Sequence, residues 1–164
     1  MFTALTLLAS QDAFCEGKQT VAYSLPPGSS RFTQEQVIEV GDVPGHKLRI
    51  FESQINYKDV NLAFADVRVK ESFTRGSSDH INGTGTASNY AVCLLEDGNK
   101  VFAKESGVGQ ATVGPNGAVS FRYAVIATFT GGTGKFRGIK GQLRGNVVRI
   151  PGENSVKADV TGEY

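Results

Sequence analysis

The sequence predicts an all-β fold in one domain, a single antiparallel sheet closed into a barrel. Three observations point there. Apolar residues recur at every second position, whereas helical spacings of three and four are rarely sustained. Turn signals leave no helix length between consecutive strands, so neighbours pair as hairpins or meanders. The 20 glycines lie inside strands as well as between them, where they weaken pairing unless a sheet has to coil sharply. At 164 residues, 40% of them hydrophobic, the chain has apolar material for one core and too little length for two ordinary domains. With 17 Lys and Arg against 16 Asp and Glu the formal charge is +1, so no uniform field draws in nucleic acid or an anionic membrane. No apolar run approaches the roughly 20 residues of a membrane span.

Residues 1–9 form a short apolar stretch ending in small residues, like the hydrophobic region of an export signal, but without a positively charged start or an Ala-x-Ala cleavage site. Residues 1–17 read as a truncated export signal or N-terminal tail, with a first strand or helix covering the core as the alternative, and residues 18–164 as the barrel domain. The signal reading implies a secreted or periplasmic protein and leaves Cys15 in the tail. Alternation then sets Arg49, Phe51, Ser53, Ile55 and Tyr57 on one strand face and Leu48, Ile50, Glu52 and Gln54 on the other. Val67, Val69, Glu71 and Phe73 repeat the pattern. The strand from Tyr90 to Leu95 turns through Glu96-Asp97-Gly98-Asn99 and returns over 100–104, Asp-Gly supplying the positive φ of a tight hairpin. Pro115-Asn116-Gly117 leads into a strand with Val119, Phe121, Tyr123, Val125, Ala127 and Phe129 on one apolar face. Strands at 147–150 and 156–164 bring the total to seven to nine. A closed barrel of about eight strands either fills its interior or encloses one small ligand.

Gly131-Gly132-Thr133-Gly134-Lys135 superficially resembles a phosphate loop. It has Phe129 where a Walker glycine belongs and Phe136 where Ser or Thr belongs, and no helix pattern follows to aim amides at phosphate. It reads as a turn that helps close the barrel. Two cysteines and two histidines in separate segments give no zinc site and at most one disulfide, Cys15 with Cys93. No metal or other cofactor is expected.

The segment from Phe129 to Gly141 resembles the Gly-Gly-[Ser/Thr]-Gly-x-Phe-x-Gly-x-x-Gly signature of the allene oxide cyclase and dirigent barrels. A looser likeness extends over residues 37–145, through Gly41-Asp42-Val43-Pro44 and the cysteine-bearing strand of Tyr90-Ala91-Val92-Cys93-Leu94-Leu95. Val40 to His46, Thr74 to Asp79 and Leu95 to Gly98 look closer still to small exported bacterial proteins of this barrel type. The resemblance implies an eight-stranded antiparallel barrel of calycin type, a homo-oligomer of two or three copies, and an apolar cavity that holds a reactive small molecule. Carried over by position, the central-strand cysteine of the plant cyclases falls on Cys93 and the strand glutamate on Glu39. The asparagine position falls near His46 and is not matched.

Each candidate has two readings. Cys93 is a small core hydrophobe or a cavity residue. Glu39 is a solvated exterior carboxylate or, if buried, an acid with a raised pKa. Asp42 closes its turn. His46 is a loop residue or a polar group at a binding mouth, and His80, beside Asp79, lacks a positioned nucleophile. Arg49 and Arg68 are expected to point outward. Phe51, Tyr90, Phe121, Tyr123 and Phe129 are core or the walls of a ligand cavity. Asn82-Gly83-Thr84 is a glycosylation sequon in form only. The expected function is binding of a small apolar or amphipathic molecule in the lumen. The alternatives are an isomerase, cyclase or dirigent-like template acting through Glu39 or Cys93, and a structural barrel without ligand. A cavity of several hundred cubic ångströms faced by Glu39 or Cys93 speaks for the enzyme, and one without ionisable groups for the binder.

Overall fold

The computed structural model describes residues 18–114, 117, 119–150 and 155–164; the expectation for residues 1–17 lies outside them. The described chain is strand throughout: β1 (Thr20–Leu25), β2 (Ser30–Glu39), β3 (His46–Asn56), β4 (Ala63–Phe64), β5 (Val67–Ile81), β6 (Thr84–Leu95), β7 (Lys100–Val113), β8 (Val119–Gly132), β9 (Gln142–Ile150) and β10 (Ser155–Glu163). Its one helical element there is the 3-10 turn Gly134–Phe136, and no helix is long and apolar enough to cross a membrane. The strands form one sheet of ten in the order β1-β10-β9-β8-β7-β6-β5-β3-β2, with β4 paired to β5 off that path. All pairings are antiparallel.

The closed eight-stranded barrel is therefore not what forms. The sheet has two free edges, β1 and β2, each with a ladder on one side only. The chain between them explains the open seam. Pro26 and Pro27 follow β1 and carry no N–H to donate, while the Ser29 amide turns back onto the Pro26 carbonyl at 3.3 Å. Ser30 then pairs away from β1, opposite Ile55 of β3. The sheet nevertheless curls far enough that its outermost strands look onto one shared space. The Tyr23 ring of β1 meets Tyr57 edge-on at 5.9 Å, and Arg149 of β9 reaches over Phe32 of β2 at 4.1 Å.

Bulges decide which side chains face that space. An extra residue, Lys70, interrupts the β5–β6 register between Val69 and Glu71 and exchanges the faces of the strand. Val69 is buried, and beyond the bulge Ser72, Thr74, Ser78 and His80 point inward. Glu71 and Phe73, expected to continue the face of Val69, do not. The freed Lys70 carbonyl accepts the Tyr57 amide at 3.1 Å. On β6 the same register turns Ala87, Asn89, Ala91 and Cys93 inward and leaves Tyr90 on the outside, 61% exposed.

One end of the curled sheet is plugged. The segment between β3 and β5 buries Tyr57, Val60, Leu62 and Phe64. Phe64 packs edge-on against Phe129 at 5.5 Å and Tyr164 at 5.2 Å, and the Tyr164 hydroxyl accepts the Ala65 amide at 2.8 Å. The glycine-rich segment sits at this end as a turn. Gly134 has φ +54, Phe136 is fully buried, and Thr133 Oγ1 accepts the Lys100 amide at 2.8 Å while donating to Asn99 Oδ1 at 3.1 Å. The Asp97-Gly98-Asn99 hairpin and the glycine turn are thus locked together at the floor.

Candidate binding cavity

Above this floor lies a cavity of about 790 Å³, lined by side chains of β1, β2, β3 and β5 to β10. Side-chain size explains why it is a cavity and not a packed core. Inward positions on the central strands are small: Ser72, Thr74, Ala87, Ala91, Ala103 and Gly107. Large side chains come from β3 and β8, where Phe51, Phe121, Tyr123 and Phe129 line the space. Several glycines here serve packing. A Cβ at Gly83 or Gly109 would run into the ring of Phe121 or Tyr123, and one at Gly85 into the Asp79 carbonyl and the His80 ring, so those rings come close to bare backbone.

The end away from the floor is cationic. Arg49, expected to face outward, lines the cavity and pairs with Glu35 at 2.9 Å. Its guanidinium lies 5.1 Å from the Phe32 ring and 5.5 Å from that of Phe51. Arg149 sits on the same Phe32 ring and has no ion-pair partner among the described residues. Burial, with Arg49 nearby, lowers its pKa. His80 is buried, its Nε2 has no hydrogen-bond partner, and burial with the charge of Arg49 pushes its pKa down, so the imidazole is neutral at neutral pH. Its ring is 5.8 Å from that of Tyr123.

Midway down, Cys93 faces the cavity, its thiol pushed up to about 12 by burial and the Glu105 carboxyl. It is a thiol, not a thiolate nucleophile, at physiological pH. Glu105 lines the cavity as well. Burial raises its pKa against the pull of an Asn89 hydrogen bond. Sequence reasoning missed Glu105, although the signal was available: Val101, Ala103 and Glu105 alternate on one face of β7, and the first two are core residues. Asn89 and Arg149 were missed for the same reason, since a polar residue within an alternating run reads by default as exterior.

The other expected residues lie elsewhere. Glu39 is exposed and paired with Lys47 at 3.0 Å, outside the cavity lining. His46 is clasped in the β2–β3 turn, Nδ1 to Asp42 at 2.5 Å and Nε2 to Asp79 of β5 at 2.8 Å, and does not line the cavity. The hydrogen bond to Asp79, then that to Asp42, raises its pKa. Asp42 also takes the Val43 amide at 2.7 Å, closing its turn. Tyr90 belongs to the outer face because the β5 bulge sets the register that turns its neighbours inward. Cys15 lies outside the described residues, and Cys93 is a free cysteine. No three His, Cys, Asp or Glu side chains among the described residues are placed to hold a metal ion.

The fold and cavity define an all-β protein with a curled, open antiparallel sheet around an internal space. Comparison with models of protein families, with characterised proteins and with solved structures finds no match to this chain.

Proposed function

We propose that this protein binds one small amphipathic molecule inside the curled sheet, its apolar body toward the floor and its polar end at Arg49 and Arg149. The observation that carries the reading is the cavity itself: about 790 Å³, in the size range of small-molecule sites, with aromatic walls and few, localised polar groups. A structural sheet with no ligand has no need of small inward residues on adjacent strands, since filling them with Leu or Val would add several kcal/mol of packing. Native mass spectrometry of the protein purified from its own host is the test. A bound mass of a few hundred daltons that leaves on denaturation supports the reading; a bare chain that also takes up no apolar probe contradicts it.

One observation favours a second reading, a template or isomerase for the bound molecule. Burial raises the pKa of Glu105 and the residue lines the cavity, the kind of setting in which a general acid is held. Glu39, exposed and ion-paired, has no place in that chemistry. Conversion of the extracted ligand by the wild-type protein and not by Glu105→Gln separates catalysis from binding.

A further inference from the structure

Regular alternation along β2 would set Phe32 and Glu35 on opposite faces. Thr33 is an extra residue between Phe32 and Gln34 in the β2–β3 register, and past this bulge Glu35 and Val37 join Phe32 on the cavity face. Glu52, outside the cavity lining, holds the bulge: Thr33 Oγ1 donates to its carboxylate at 2.5 Å, and Arg75 pairs with it at 2.6 Å. A carboxylate is thereby turned into the space that holds two guanidinium groups. Three cations among the described residues line the cavity, Lys47, Arg49 and Arg149. Lys47 is matched by Glu39 at 3.0 Å, and Arg49 by Glu35 at 2.9 Å through one nitrogen and one oxygen. Arg149 has no ion-pair partner among the described residues. The ionisable neighbours that act on it are Arg49, Tyr123 and Glu35, and the Tyr123 phenol, its pKa raised by burial, is neutral at pH 7. His80 adds no charge, since burial and Arg49 both lower its pKa, and Glu105 lies midway down the cavity. The cationic end therefore carries one positive charge in excess. A ligand can reach it, because the Arg49 and Glu35 side chains are 22% and 38% exposed and Arg149 is only partly buried.

We propose that this end takes one singly charged oxyanion, a carboxylate or sulfonate head group held by Arg149 together with Arg49, and that Glu35 is the residue that sets this charge. The proposal rests on the reading of the cavity as a binding site and adds to it the charge that the ligand carries. A neutral end group leaves Arg149 without a counter-charge. A doubly charged phosphate brings a second negative charge toward Glu35, where like charges in a partly dry site repel. Arg49 has N–H donors beyond the one given to Glu35, so an oxyanion is shared between the two guanidinium groups without displacing the carboxylate. The bulge at Thr33 is what makes the selection: without it the same arginines would face the ligand with two charges to balance.

The test uses three probes with one apolar body, naphthalene, 1-naphthalenesulfonate and 1-naphthyl phosphate, titrated by calorimetry into the full chain. A pH of about 8 lies well above the second pKa of a phosphate ester, about 6, so the phosphate carries two charges. Wild type is expected to hold the sulfonate about tenfold tighter than naphthalene, the scale of a hydrogen bond between charged groups, and tighter than the phosphate. Arg149→Met is expected to abolish the preference for the sulfonate over naphthalene; Arg149→Gln serves if the methionine variant does not fold. Glu35→Gln is expected to move the ratio of phosphate to sulfonate affinity about tenfold toward the phosphate, while naphthalene binds as before. Equal affinity of wild type for naphthalene and the sulfonate, a wild-type preference for the phosphate, a sulfonate preference that survives in the Arg149 variant, or an unchanged ratio in Glu35→Gln overturns the proposal and leaves the cavity reading standing. Failure of wild type to bind any of the three probes overturns both.

Discussion

The Arg149 guanidinium lies 4.1 Å from the centre of the Phe32 ring, carrying a side chain of β9 onto the free-edge strand β2 with no ladder between them. Arg49 approaches the same ring at 5.1 Å. Two cations thus share one aromatic platform at the cavity end, and among the described residues only Glu35 is ion-paired with either. Burial and mutual repulsion both act against Arg149. An anion entering the cavity would relieve the repulsion and gain charge-assisted hydrogen bonds.

Arg149→Met is therefore expected to weaken the anionic probe 1-anilinonaphthalene-8-sulfonate about tenfold, the scale of a hydrogen bond to a charged group. The neutral N-phenyl-1-naphthylamine should change little. Fluorescence titration of both probes checks this. Equal loss for the two would show that the arginine holds the wall in shape and does not read charge.

Phe121 and Tyr123 supply wall area on β8, one ring over Gly83 and the other over Gly109. Replacing either with Ala is expected to lower the affinity for the neutral probe about fivefold, since a large apolar contact is lost. An unchanged affinity in a folded variant would place the ligand elsewhere.

Gly134 has φ +54, and a Cβ there would meet the Asn99 side chain. Gly134→Val should destabilise the fold by about 1 to 3 kcal/mol through a backbone conformation that β-branched residues avoid. Gly132→Val should do so for a different reason, because its Cβ would press on the Lys100 carbonyl and on Phe136. Melting temperatures equal to wild type would refute the placement of this turn.

The His46 clasp should make stability depend on pH in one direction. Its pKa is raised in the folded chain by Asp79 and Asp42, so the clasp contributes fully below the unfolded pKa of about 6.5 and is lost as pH rises through the higher folded value. The wild-type melting temperature minus that of His46→Gln, measured from pH 5 to 9, is expected to fall over that interval. Taking the difference removes His80, whose lowered pKa acts in the opposite sense. A flat difference would show that the turn does not depend on the imidazolium.

What the sequence disclosed and what it concealed follow from period and packing. The alternation of β3 and β8 placed Phe51, Phe121, Tyr123 and Phe129 on the inward face, where they are found. Asp97-Gly98 made its hairpin, with Gly98 at φ +84. The bulge at Lys70 left no mark in residue types, so the inward face of β5 was assigned to Glu71 and Phe73 instead of Ser72 and Thr74. Asn82-Gly83 was weighed only as part of a sequon in form and not as a turn, although Asn-Gly is the strongest short hairpin signal; both residues have positive φ and join β5 to β6. A ligand cavity was expected, but its small and polar lining on β5 to β7 was hidden, because such residues normally signal an exterior face and here they hollow an interior. The open seam was hidden because alternation fixes faces, not which edge strands meet.

The central claim is that small inward side chains leave a real, accessible space within this sheet. Ala91 and Ala103 oppose each other across β6 and β7 and both line it, so the ring of Ala91→Phe should intrude into it. The most direct measurement is titration of wild type and Ala91→Phe with N-phenyl-1-naphthylamine, with circular dichroism confirming that the variant is folded. Single-site uptake by wild type and clearly weaker uptake by Ala91→Phe is the predicted result. Binding of equal strength by the two proteins would contradict the account.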